Sequence, residues 1–254
     1  MSNFSDFVNR AAEATPRLPL AHTTDWFTFR TIKATGQMVP EPCDVYLQDL
    51  LYFFYGRPSF RKHQDADALS LASLHLVSLI FDPTTLPPPL RVLPFDSGAF
   101  KVGLYEPSLH PGMALPHFEL DPSIDAVARA VGCFYGTNKD YFRSKMRSDL
   151  QYDCDELEIE SFVSIVASVS KSKVDDRRAA IEIQIADIVD LARAKVLAVI
   201  LPEQFLDHQP TYDYIRTGLG AEPIGYFCPH ARPDGDARVI MNEAARFYRA
   251  RGWL

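Results

Sequence analysis

A chain of 254 residues, 47% hydrophobic and 23% charged, has room for one large domain with a substantial buried core. Its formal net charge of −7 argues against a general nucleic-acid coat, whose footprint is basic, and leaves space only for a local basic groove. No apolar run approaches the length of a bilayer span, and Met1–Arg17 lacks the apolar centre of a signal peptide, so a cytoplasmic protein away from membranes is expected.

In chain order, Leu18–Ala21 predicts a first strand that ends on His22-Thr23-Thr24. Thr24 then reads as the N-cap of a helix over 25–35 that stops near Gly36. Leu50–Tyr55 predicts a second strand with four successive aromatics, broken by Gly56-Arg57-Pro58. Ala68–Phe81 is apolar nearly all round and predicts a buried helix. Pro83–Pro94, with Pro87-Pro88-Pro89, must be extended or turning, because proline fixes φ and removes a donor. Asp96-Ser97-Gly98 reads as a structural turn leading into a strand over Ala99–Tyr105, and Glu106–Pro122 as a broken loop.

Asp121-Pro122 predicts the start of a helix running to Phe134. A helix over Glu156–Ser170 is acidic at its start. Strands are expected at Ala180–Ile185, Val196–Leu201 and Ile224–Phe227. Gln204–Thr217 is helical in pattern but split at Pro210, and Asn242–Arg251 predicts a terminal helix, basic toward its end. There is no regular βαβ alternation, no GxGxxG after a strand and no GxxxxGK[ST], which disfavours nucleotide-binding folds of the doubly wound kind. One α+β domain over 1–254, with a split, mainly antiparallel sheet and flanking helices, fits better.

Three polar islands at strand edges carry the chemistry. His22, where the first strand turns, has the groups to hydrogen-bond a ribose hydroxyl, or to serve as a core or capping histidine. Tyr55 ends the aromatic strand and offers a face for stacking on a flat ring; Arg57 and Arg61 beyond it suit phosphates, or are surface arginines. Ile181, Ile183 and Ile185 alternate with Glu182 and Gln184, so the carboxylate and the amide share one strand face. If that face lines a cleft, Glu182 suits the stabilisation of positive charge on a sugar; if it meets solvent, it carries no chemistry. The acidic series from Asp153 to Glu160 suggests a divalent-metal nuclease or, more simply, a solvated helix start. Cys43, Cys133, Cys154 and Cys228 form no CxxC pair, and the seven histidines show no HExxH spacing. No metal site is expected, and the thiols are expected to be free.

Taken in order, the islands resemble the ADP-ribosyltransferase superfamily in its branch with a His-Tyr-Glu signature. His22-Thr23 resembles the histidine motif of that family's first core strand, Tyr55 (or, as second choice, Tyr52) its tyrosine, and Ala180-Ile181-Glu182 the strand of its catalytic glutamate. The strand at Val196–Leu201 is similar to one in the superfamily's bacterial DNA-modifying toxins. The chain departs in having Thr23 where many members have glycine, and in lacking an evident second catalytic acid, which leaves the acceptor open. The resemblance implies NAD as co-substrate, held by His22, Thr23, Tyr55, Arg57, Arg61 and Gln184, with Glu182 catalytic. It further implies a mono-ADP-ribosyltransferase or NAD glycohydrolase acting on nucleic acid or protein, as a toxin or antiphage defence effector with a possible antitoxin or regulator. The competing expectations are a non-enzymatic interaction protein and a metal-dependent nuclease using the Asp153–Glu160 cluster.

Overall fold

A computed structural model of the chain describes residues 3–59, 71–168, 176–228 and 233–254. Helix α1 (Asn3–Asn9) precedes strand β1 (Leu20–Asp25) and helix α2 (Trp26–Thr35). Strands β2 (Gln37–Met38), β3 (Glu41–Cys43), β4 (Gln48–Tyr55), β5 (Leu76–Phe81) and β6 (Arg91–Leu93) follow, then the short helix α3 (Ser97–Lys101). Helices α4 (Ile124–Phe134), α5 (Asn138–Phe142) and α6 (Leu157–Ala167) lead to β7 (Glu182–Ile185), β8 (Val189–Asp190) and β9 (Val196–Pro202). After these come α7 (Glu203–Leu206), α8 (Gln209–Asp213), β10 (Glu222–Tyr226) and α9 (Pro233–Ala250).

The mixed α+β expectation holds. The main sheet runs β10-β9-β5-β1-β4-β7-β6, with β3 beside β4. Every pairing in it is antiparallel except β9–β10. Strand β1 pairs with β5 over its whole length but with β4 at only two positions, Leu20↔Tyr55 and Ala21↔Phe54. Beyond Ala21 the sheet therefore parts between β1 and β4, and this parting lies at the second residue of the first motif strand.

Two apolar layers clothe the sheet. One face carries Leu20, Phe53, Tyr55, Leu79, Phe81, Ile183 and Val199 into the larger core, against α1, α4 and α6. The opposite face carries Ala21, Leu76, Ile80, Ala198 and Ile200 against Ile240, Ala244, Phe247 and Tyr248 of α9. Within the larger core, Phe4 contacts Phe118, Phe134 and Phe162, with ring centroids 5.5–5.7 Å apart. Phe95 packs at 5.2 Å from both Phe118 and Tyr105. Such aromatic pairs add about 0.5–1.5 kcal/mol each beyond their area burial, so Phe95 firmly anchors the turn between β6 and α3.

Two expected elements are corrected. Residues 76–81, assigned above to a buried helix, form strand β5; residues 68–70 of that expected helix lie outside the described residues. All six β5 residues are buried because the strand lies in mid-sheet between β1 and β9, so it shows no alternation and its apolar run reads like a buried helix. The strand expected at Ala99–Tyr105 is instead helix α3 and following turns: Asp96 Oδ1 accepts the Ala99 N–H at 2.7 Å, which caps a helical turn. Smaller shifts also follow from capping. Asp25, not Thr24, caps α2 through the Thr28 N–H, and α9 starts at Pro233, a residue suited to a first helical position, well before Asn242.

Helix α4 is crossed at Gly132 by the chain leading into β1. A Cβ at Gly132 would stand 2.0 Å from the Ala12 carbonyl oxygen, a backbone atom fixed nearby by the Ala14 N–H to Ala128 O bond. Gly132→Ala is therefore expected to destabilise the protein despite its better helix propensity, by about 1–3 kcal/mol or more. Denaturant unfolding compared with wild type measures this; an unchanged midpoint would mean that the Ala12 segment yields freely.

Candidate functional site

Strand β7 starts with Glu182, whose side chain is fully buried. Its strand partners are Phe54 on β4 and Leu93 on β6. An ionised carboxylate inside a protein must be met by donors, and the β6–α3 turn supplies them. The Ser97 N–H and Oγ reach Glu182 Oε2 and Oε1 at 3.1 and 2.6 Å, and Gln184 Nε2 reaches Oε1 at 2.6 Å. The strand period of two puts Glu182 and Gln184 on one face, as expected.

The cluster extends outward along β6. Arg91, opposite Gln184 in register, donates from Nη1 to Gln184 Oε1 at 2.6 Å and pairs through Nε with Glu119 at 3.0 Å. Its guanidinium lies 3.9 Å from the centroid of the Tyr46 ring, a cation–π distance. Burial first, and then the charge of Glu182, push the Tyr46 phenol well above its usual range. The Tyr46 hydroxyl is buried beside Gln184 without a well-formed hydrogen bond among the described residues. Tyr52 lies opposite Gln184 on β4, and its hydroxyl meets Cys43 Sγ at 2.6 Å. A buried carboxylate, an amide, a guanidinium and two tyrosines thus share one face of β4-β7-β6.

His22 and Tyr55 are not on that face. Ala21 shares a register line with Phe54 and Glu182, so His22, the next residue, points the other way, beside Leu79. Its ring lies 5.5 Å from that of Phe53, in the larger core. The expectation that one bound ligand touches His22, Tyr55 and Glu182 together is therefore corrected: register puts the side chains of His22 and Tyr55 on the face opposite that of Glu182. Tyr55 is fully buried, its hydroxyl accepting the Leu18 N–H at 2.8 Å and its carbonyl accepting the Tyr141 hydroxyl at 2.8 Å, so its ring is core. Arg57, expected on phosphate, is buried and donates to Tyr141 O at 3.0 Å and Ser144 Oγ at 2.7 Å, which ties the end of β4 to α5 and the residues after it. Thr23 turns its hydroxyl to Ser78 Oγ at 3.0 Å. Arg61 lies outside the described residues.

His22 occupies the parting between β1 and β4. Its Nδ1 is 2.9 Å from the Tyr52 carbonyl, which can only accept, so Nδ1 carries the proton and Nε2 is left as an acceptor. Burial lowers its pKa to about 4, so the ring is neutral at physiological pH. The half-buried imidazole completes the β1–β4 edge where backbone pairing stops.

The acidic series does not form a comparable site. Asp153, Asp155 and Glu160 are exposed, and Glu156 is half-buried, engaging the Asp153 N–H and Arg10. None of them belongs to the group of metal-capable side chains found close together among the described residues. Arg91, Glu119 and Tyr46 escaped the sequence reading, which places Ser97 in a structural turn. The signal for Ser97 was present in Asp96-Ser97-Gly98, a capping aspartate followed by a second buried polar group. Arg91, Glu119 and Tyr46 carry no local signal, since loops of different length bring them together. In comparison with known proteins, the sequence matches no protein-family model and no curated protein.

The lowered pKa of His22 makes a pH prediction. The folded state takes up its proton near pH 4, the unfolded state near 6.5. Between these values the unfolded state binds more protons, so stability falls as pH drops through this window and is fully present above it. Asn at this position keeps a donor for Tyr52 O and does not titrate. His22→Asn is expected to show a shallower loss of thermal midpoint from pH 6.5 to 4 than wild type; parallel curves would show that the imidazole does not control acid stability.

Proposed function

We propose that the chain consumes NAD, transferring ADP-ribose to a macromolecule or to water, with Glu182 as the carboxylate that stabilises the reacting sugar. One observation carries this reading: the three motif strands are immediate neighbours in the order β1-β4-β7, with a fully buried, donor-held carboxylate on the third. Across two strand spacings, β1 and β7 are roughly 10 Å apart. The resemblance to the ADP-ribosyltransferases rests on the same three strands.

The chemistry asks for few groups. The C–N glycosidic bond breaks, its electron pair leaves with nicotinamide, and positive charge develops on the ribose. An acceptor oxygen or nitrogen, or water, then bonds to that carbon and gives up a proton. A preoriented carboxylate favours the charged transition state over the ground state. Ser97 and Gln184 hold Glu182 in one rotamer, so little reorganisation remains when the charge appears. Tyr52, on the same face as Gln184, takes the aromatic role that Tyr55 cannot, while His22, on the opposite face, takes no part in this site.

Glu182→Gln keeps the shape and removes the charge. Nicotinamide release is expected to fall about 10²–10³-fold, with the fold retained by circular dichroism. Ser97→Ala, which leaves the carboxylate but frees it to move, is expected to lose activity to a smaller extent at unchanged NAD affinity. A wild-type protein that neither binds NAD at millimolar concentration nor releases nicotinamide would overturn the reading and leave Glu182-Ser97-Gln184 as a structural tie in an interaction protein.

A further inference from the structure

At the far end of the sheet, three side chains from distant parts of the chain converge. His75 immediately precedes β5, Cys228 follows β10 by two residues, and Asp236 lies in the first turn of α9. One ligand atom from each lies within 4.8 Å of the other two. Cys228 Sγ is 2.7 Å from Asp236 Oδ1, and His75 Nδ1 is 3.4 Å from Asp236 Oδ2. Asp236 is fully buried, His75 nearly so, and Cys228 half-buried. Leu76, next to His75, lies four residues along β5 from Ile80, which is on the register line of Glu182 three strands away. At strand dimensions the two clusters are therefore roughly 20 Å apart.

We propose that His75 Nδ1, Cys228 Sγ and the Asp236 carboxylate bind one zinc ion. Four arguments support this. First, the donor set mixes imidazole, thiolate and carboxylate, which suits a borderline-soft ion such as Zn²⁺ and not Mg²⁺ or Ca²⁺. Second, ligands at zinc distances around a tetrahedral ion stand about 3.3–3.6 Å apart; the His75–Asp236 separation of 3.4 Å falls in that range, and the Cys228–Asp236 pair at 2.7 Å has to open by less than about 1 Å. Third, charge balances: one thiolate, one carboxylate and a neutral imidazole sum with Zn²⁺ to zero, so the occupied site is compatible with burial, whereas a lone buried carboxylate is not. Fourth, the ligands sit on rigid supports. The His75 carbonyl accepts the Trp26 N–H at 2.8 Å, and the ring of Phe205 packs edge-on against the imidazole at 5.8 Å.

The three donors found among the described residues leave one tetrahedral position open to a further ligand or water. Binding releases the Cys228 thiol proton to solvent, so affinity rises with pH. The ion would tie α9 to the ends of β5 and β10, beside a contact already made by the Tyr226 hydroxyl to Leu76 O at 2.8 Å.

The experiment uses the full chain. Chelator-treated protein is titrated with Co²⁺, then with Zn²⁺, followed by absorbance, metal analysis and thermal melting. The expected result is close to one equivalent of tightly held metal, a thiolate-to-cobalt charge-transfer band that Zn²⁺ abolishes, and a higher midpoint with Zn²⁺. In Cys228→Ser the band disappears. Loss of an outer partner alone weakens metal binding about 10–100-fold, so loss of the thiolate is expected to weaken zinc by at least that factor. Asp236→Asn tests the second ligand. Wild-type protein that gives no thiolate band, or Cys228→Ser that binds zinc as wild type does, overturns the proposal. The wild-type spectrum needs no variant to fold.

Discussion

The physical constraint on which this architecture turns is the burial of the Glu182 carboxylate. A charge with no exposure must find donors within the protein or remain protonated. Here two of the donors come from one residue, Ser97, so the β6–α3 turn has to close onto the start of β7. Phe95 pins that turn into the aromatic core, and Asp96 caps the short helix whose first residue is Ser97. Arg91, two residues before Leu93 on β6, then extends the network through Gln184 to Glu119. Hydrophobic packing and the buried charge thus fix the same turn, one from each side.

Much of this was legible in the sequence, and the limits have physical causes. Strands β4, β7, β9 and β10 were readable within a few residues from alternation or from apolar runs between breakers. Strand β5 was not, because a central strand buried on both faces loses its period. The segment after Asp96 was mistaken for a strand because its aromatic and β-branched residues satisfy β propensity, while the capping bond that makes it helical belongs to one aspartate. Glu182 and Gln184 could be placed together because they are two residues apart on one strand. The relation between His22 and Glu182 could not, because parity across β1, β4 and β7 depends on register, and nothing in a single strand encodes its neighbour's register.

The same limit hid the His75-Cys228-Asp236 cluster. Spacing rules for metal ligands work when two donors lie on one helix or one hairpin. Here each donor comes from a different part of the chain, and they meet only because the start of β5, the end of β10 and the start of α9 lie together. The mixed direction of the sheet makes this possible. Strands β9 and β10 run parallel, so the chain leaves β10 at the end where β5, antiparallel to β9, begins. A wholly antiparallel sheet would deliver Cys228 to the opposite end, far from His75.

The parting between β1 and β4 is the feature that gives His22 a role. A sheet that paired these strands throughout would satisfy the Tyr52 carbonyl with a β1 backbone N–H and leave the imidazole free to point into the core. Because the ladder stops after Ala21, the Nδ1–H takes that carbonyl. Burial keeps the ring neutral, so the exchange adds no buried charge. The consequence is a fixed tautomer, with Nε2 unprotonated where two strands separate. Such an acceptor discriminates by chemistry: it favours a hydroxyl or N–H donor over a carbonyl or phosphate oxygen.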